Sequence, residues 1–373
     1  MDIRTWNYRF LFLFLFIASC IEPYEFVVHD ETRTLVVEAS ISDKSFFETL
    51  SYPSDGRYFK AKLSYTGDVT NTRPVLIQGA LVTLVSDQGD SWLYTEYAGD
   101  PGVYALLDDN FRAEPGVKYS LRIVLPNDET YASSWEELPA TDVPLVGHVS
   151  FSETEVQRYL VEAGKEVLRT VKGLTPRIEV PARTSTGSSI YYRWNSTPLW
   201  IYVAPLSSSS SPVYRCWATD LNYIRDYTLQ EDNEGGYGKD LFFMETIRNE
   251  RIFEDFSLLV TQYAMNERTY NFWRELQEQS QAGAVFDAPP YNLLTNFHSV
   301  DNNKRVSGYF DVSQEQATRW YFNKNELSYY VENTLKADCL VDYGPGGPAE
   351  ECTNCLAYSF GIATNVRPLW WRQ

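Results

Sequence analysis

Histidine is scarce in this chain. His29, His148 and His298 are its only three, scattered over an N-terminal tether, a linker and a loop, and they read as surface or packing residues rather than as a base or a ligand set. There is no G-x-S-x-G elbow, no H-E-x-x-H and no glycine-rich phosphate loop. Basic residues are in the minority, 32 against 50 acidic ones, for a formal charge of −18 over 373 residues. Nucleic acid demands a basic footprint and anionic lipid a polybasic patch, so this balance argues against both. No repeat of solenoid period occurs. Beyond the N-terminus no apolar run approaches the roughly 20 residues of a membrane-spanning helix.

Other reactions leave weak traces. A glycosidase needs two carboxylates about 5–9.5 Å apart, and so acidic a chain neither selects nor excludes a pair. Asp87 to Asp90 and Asp301 to Asn303 hold clustered oxygen ligands but lack the full calcium-loop pattern, and they read as turns. The expectation is a protein that is not an enzyme and carries no cofactor or metal.

What is present starts at the N-terminus. Arg4 and Arg9 precede an unbroken apolar run over residues 10–18, which closes on Ile17-Ala18-Ser19-Cys20. Positive n-region, short apolar h-region and small residues at the cut are the order of a secretory signal peptide. The pattern resembles a bacterial lipobox, which implies cleavage before Cys20 and its acylation. Two or three acyl chains hold a protein stably on a membrane where one holds it only marginally. Removing residues 1–19 leaves 30 basic against 49 acidic side chains, or −19, so lipid rather than charge does the anchoring.

With Cys20 assigned to lipid, Cys216, Cys339, Cys352 and Cys355 remain. Outside the cytoplasm an even set of thiols reads as two disulfides, with three connectivities open. Cys352-Thr353-Asn354-Cys355 has C-x-x-C spacing, but no second such pair, nearby histidine or βαβ context supports zinc or redox use.

Residues 34–39, 59–65, 79–85, 92–97, 102–106, 119–124 and 130–133 read as short strands divided by Gly, Pro and Asp turns, the pattern of a β-sandwich. Pro139 to Pro144 reads as a boundary. Beyond it, residues 149–171 read as a hairpin turning at Gly164 or as a helix, the hairpin being favoured. Residues 190–194, 199–203 and 256–263 read as strands, 207–211 and 233–238 as flexible stretches. Asn266 caps a helix whose apolar face carries Tyr270, Phe272, Trp273 and Leu276, with Gly283 as its stop. Val306 to Phe310 begins another strand, and the tail from Cys339 to Trp371 reads as loop. The fold class is therefore mainly β: an N-terminal immunoglobulin-like or transthyretin-like β-sandwich, then a second β-rich domain carrying one amphipathic helix. The expected divisions are 1–19 signal peptide, 20–33 lipidated tether, 34–140 sandwich, and 145–373 C-terminal domain with helix 266–282 and the cysteine-containing tail.

Taken in order, the lipobox, Gly79-Ala80-x-Val82, Gly102-x-Tyr104, Tyr191-Tyr192-Arg193-Trp194, Cys216-Trp217, Phe272-Trp273, Pro289-Pro290, Asn296, Gly308-Tyr309-Phe310 and the late Cys-x-x-Cys before Pro368 and Trp370 resemble Bacteroidota outer-membrane lipoproteins classed as a domain of unknown function. The resemblance covers nearly the whole chain. It implies a lipid-anchored outer-membrane protein, on the cell surface or the periplasmic face, of a kind often associated with TonB-dependent transporter systems. It implies no known reaction. Pro289, Pro290, Asn296, Gly308, Tyr309 and Phe310, with Phe272 and Trp273, read as scaffold: a rigid turn, a turn-capping side chain, a close backbone approach and core packing.

The expected function is a non-enzymatic accessory or binding component of an envelope complex, with a β-barrel transporter or other envelope protein as partner. A glycan-binding surface lipoprotein is the alternative, and a hydrolase a third. For glycan binding, Tyr191, Tyr192, Trp194, Trp200, Trp217, Phe272, Trp273 and the terminal tryptophans supply stacking rings if they lie exposed.

Overall fold

The computed structural model describes residues 33–66, 75–140, 143–183, 189–220, 224, 226–281, 293–301, 303–341 and 347–372. The signal peptide, Cys20, most of the tether, Gly283, Pro289 and Pro290 lie outside the described residues. In chain order the principal elements are β1 (Leu35–Ser42), α1 (Phe46–Leu50), β2 (Phe59–Tyr65), β3 (Leu81–Ser86), β4 (Val103–Leu106), β5 (Lys118–Val124), β6 (Thr130–Ser133), β7 (Val149–Glu162), β8 (Lys165–Val180), β9 (Ile190–Val203), β10 (Arg215–Thr219), β11 (Phe256–Met265), α2 (Glu267–Gln281), β12 (Phe297–Ser299), β13 (Val306–Phe322), α3 (Leu335–Val341) and β14 (Ile362–Thr364).

The protein is mainly β. An eleven-stranded sheet runs β14-β10-β9-β11-β13-β1-β2-β4, ending on Thr95–Glu96. A second sheet, built on β12-β6-β5-β3, faces its β1-β2-β4 end. Period-two burial produces this sandwich: Leu35, Val37, Ala39 and Ile41 of β1 point inward with Leu63, Leu84, Leu121 and Ile123, the alternation expected of half-buried strands. A second core, with Trp194, Trp200, Phe256, Leu258 and Phe322 at its centre, lies beneath a third sheet of β7, β8 and Tyr237–Asp240.

One strand belongs to both cores. Residues 306–313 of β13 pair parallel with β1, while residues 314–322 pair antiparallel with β11. Phe310 and Val312 sit in the sandwich core and Phe322 in the second. β12 pairs antiparallel with β6, so segments far along the chain complete the sheets begun by residues 35–133. Gly308 permits the parallel pairing. Its φ is +107°, and a Cβ there would stand 1.9 Å from the Val37 carbonyl oxygen, so only glycine fits.

Other local details follow from competing signals. The hairpin of β7 and β8 turns on Ala163 and Gly164, both at positive φ, as a tight two-residue turn requires. β9 is a single strand through Asn195 to Pro198, where two strands were expected. Pro198 tolerates this because its missing N–H falls in the gap between the partners on the outer side, Thr228–Asp232 and β10. Tyr237–Asp240 pairs with β8, which corrects the flexible reading at residues 237 and 238, while 233–236 form the irregular stretch before it. The tail is also more ordered than expected, with α3 and β14 within it.

Candidate functional site: a sheet-face cleft beside a buried ion pair

Helix α2 forms where expected, with Asn266 Oδ1 accepting from the Thr269 amide at 2.9 Å. Its buried side reaches the motif residues of β13. Phe272 stacks on Tyr309 at 4.8 Å between ring centroids and meets Trp273 edge-on at 5.4 Å. Trp273 caps Arg193, whose guanidinium carbon lies 3.7 Å from the ring centroid and 4.8 Å from that of Tyr263. The Arg193 guanidinium pairs with Asp311 at 3.6 Å, both side chains being at most 5% exposed, and Trp273 Nε1 donates to Asp311 Oδ2 at 3.3 Å. Burial pushes the Asp311 carboxyl up, with Arg193 opposing; burial likewise pushes the Arg193 guanidinium down.

Asn296 is not a turn cap. It is 5% exposed; its Oδ1 accepts from the Phe310 amide at 2.9 Å, and its Nδ2 donates to the Phe310 carbonyl and to Glu136, both at 2.9 Å. One amide side chain thus replaces a missing strand partner along β13. Thr295 Oγ1 donates to the Gly308 carbonyl beside it at 2.8 Å. Asn296→Ala leaves a buried carboxylate and two backbone groups without these partners, at about 1–3 kcal/mol for each such group. We expect its urea midpoint to fall well below that of the wild type; an unchanged midpoint would refute the strut role. Phe272, Trp273, Asn296, Gly308, Tyr309 and Phe310 therefore come together as interior packing, not as a ligand surface.

Past Arg193 the same face of β9, β11 and β13 opens into a cleft of about 710 Å³. Asn195, Thr197, Leu259 and Thr261 form its floor, residues 49–57 one wall, and the tail with Trp370 another. The first wall is fixed by α1, whose capping box pairs Ser45 with Glu48, and by Arg57, which bridges to Glu315. Ser42 Oγ donates to Glu315 Oε2 at 2.7 Å, and Arg57 Nε donates to Oε1 at 3.2 Å. At the far end Arg319 donates to Ser257 Oγ at 2.9 Å and to the Pro53 carbonyl, and lies 3.8 Å under the Trp370 ring. Burial pulls Arg319 down to about 10 and pushes the Tyr52 hydroxyl up. Depressions of about 640 Å³ beside α1 and about 650 Å³ beside β12 are also present. In the strand-floored cleft, paired residues of β9, β11 and β13 place the side chains by sheet register. Both Glu315 oxygens are engaged, and Asp55 and Asp220 add two further carboxylates to the lining. Among the described residues no cluster of three metal-ligating side chains occurs.

The four cysteines form two disulfides, Cys216–Cys355 and Cys339–Cys352, so the C-x-x-C pair divides between them. The first ties the tail to β10, against which β14 then pairs. Trp370 Nε1 reaches Asp55 Oδ1 at 2.7 Å from there, and Trp371 lies edge-on to Tyr321 at 5.6 Å.

Of the aromatics named as stacking rings, Tyr192, Trp194, Trp200, Phe272 and Trp371 are buried; Tyr191, Trp217, Trp273 and Trp370 are half-buried. Trp370 alone among them lines the cleft. Tyr52, Arg57, Asn195, Thr197, Thr261 and Arg319 were not anticipated. The available signal was the polar alternation Asn195-x-Thr197 inside an aromatic strand, and for the ion pair, Arg193 within an apolar run. No curated protein matches the chain. A family model matches residues 21–319, most of the chain, and the protein belongs to that family, described as a domain of unknown function (DUF4249).

Proposed function

We propose that the protein is a non-enzymatic accessory component of an envelope complex, held at the outer membrane by acylated Cys20, with a TonB-dependent β-barrel transporter as its partner. The lipobox supports the anchor. The observation that carries the partner reading is the β7–β8 arm. From residue 157 to 170 every residue is exposed except half-buried Val167, so a ribbon of two strands stands roughly 25 Å clear of the sheet at about 3.4 Å per residue. An isolated two-stranded hairpin is marginal in water. This one carries Tyr159 at 72% and Val161 at 73% exposure, and Leu168 faces Tyr159 across the ladder.

Its charge also differs from that of the body. Within residues 157–170, Arg158, Lys165 and Arg169 stand against Glu162 and Glu166, in a chain of net charge −18. Some of these pair across the strands, as Arg169 does with Glu162 at 2.6 Å. The arm is therefore a projection of near-balanced charge carrying exposed apolar side chains, whose outer strand β7 is a sheet edge, the kind of element that adds to a partner's strand or packs on its loops.

Capture from intact cells through a C-terminal tag, in mild detergent, tests both parts. The intact chain should bring down a β-barrel protein. Tyr159→Glu/Val161→Glu should stay in the membrane fraction and lose the barrel, whereas Cys20→Ser should leave the membrane after salt and mild alkali washes. Recovery of the chain alone would refute the partner, and membrane retention of Cys20→Ser the anchor.

A further inference from the structure

We infer that the cleft over β9, β11 and β13 binds a neutral, hydroxyl-rich ligand, a short oligosaccharide. The site is separate from the β7–β8 arm and goes beyond the docking proposed for it. Across the floor Asn195 stands opposite Thr261, and Thr197 opposite Leu259. Amide, hydroxyl and aliphatic groups therefore alternate at the roughly 5 Å spacing of paired strand residues. A pyranose has matching chemistry, with hydroxyls around its rim and apolar C–H faces above and below. Rings for those faces come from Tyr52, Tyr263 and Trp370, all lining the cleft. Its 710 Å³ falls within the roughly 300–1,000 Å³ of small-ligand sites.

Charge selects the class. The lining contains two cations, Arg57 and Arg319, and three carboxylates, Asp55, Asp220 and Glu315. Both guanidinium groups are already engaged, Arg57 by Glu315 and Ser42, and Arg319 by Ser257, the Pro53 carbonyl and the Trp370 ring. A phosphate, sulfate or uronate would meet carboxylates and would have to displace an existing partner to gain a cation, losing the bonds that hold the cleft wall. A neutral sugar meets no such penalty. Asp55, fixed through Trp370 Nε1 at 2.7 Å, adds a carboxylate of the kind that accepts bonds from sugar hydroxyls.

The purified protein is screened on an array of neutral, uronic-acid and sulfated oligosaccharides, and the best neutral binder is titrated calorimetrically. Retention of neutral members over anionic ones is expected. Thr197→Trp, at an exposed strand position, should fill the floor and weaken binding about tenfold or more, equivalent to at least roughly 1.4 kcal/mol. Asn195→Ala, which removes one amide and is no threat to folding, should weaken it several-fold. The arm variant Tyr159→Glu/Val161→Glu should bind as wild type, which separates this site from the transporter reading. Absence of any neutral binder, preference for anionic sugars, or unchanged affinity in both floor variants would overturn the assignment.

Discussion

Asp311→Ala should cost about 3–5 kcal/mol of stability, the range for removing one partner of a buried ion pair. Arg193 is held on two rings and on Asp311 with 5% of its side chain exposed. Without the carboxylate, its charge would remain in the interior with aromatic faces as its main compensation, worth about 2 kcal/mol or more when desolvated. Trp273 Nε1 would lose its acceptor as well, loosening α2 from β13. Arg193→Met/Asp311→Leu should recover most of the loss, since replacing both charges by packed apolar groups is often neutral or favourable. Urea titration with the disulfides intact measures both, and an Asp311→Ala variant within about 1 kcal/mol of wild type would show that the pair is not structural.

The two disulfides should differ in worth. Cys216–Cys355 closes a separation of 139 residues and Cys339–Cys352 one of 13. Chain-entropy scaling assigns about 5 kcal/mol to the long closure and about 3 to the short one. Structure widens the difference, because the long bridge ties the tail to β10 and thereby brings Trp370 to the cleft. Cys216→Ser/Cys355→Ser should therefore melt well below Cys339→Ser/Cys352→Ser and lose its tail to limited proteolysis. Equal melting temperatures for the two double variants would contradict this ordering. In the long-bridge variant, loss of sugar binding should accompany loss of the tail.

Local chemistry made the strands and the helix legible. Gly164 marks the hairpin turn, and Asn266 marks the start of α2 because a cap and an apolar face coincide there. The capping box of Ser45 and Glu48, which starts α1, is an equally local signal. The pairing of β1 with β13 leaves no local trace, since nothing in Leu35-Val36-Val37 names a partner 271 positions away at Val306. Gly308 hinted at a close backbone approach without identifying Val37. The cleft was hidden for the same reason: its floor comes from three strands and its walls from segments near the two ends of the described chain. Aromatic content pointed to stacking surfaces, but most of those rings fill the cores, and three of those that line the opening, Tyr52, Tyr263 and Trp370, became visible as a group only in three dimensions.

Sharing β13 between the two cores also has a temporal consequence. A chain that emerges N-terminus first exposes β1 long before its parallel neighbour exists, and at about 5–20 residues per second the wait is roughly 15–50 s. Until then the inward face of Leu35, Val37 and Ile41 lacks a strand on one side, and contacts of such sequence separation form slowly once available. The sandwich cannot mature as an independent early unit. Shielding of that apolar face of β1 until residues 306–313 arrive is thus a requirement written into the topology.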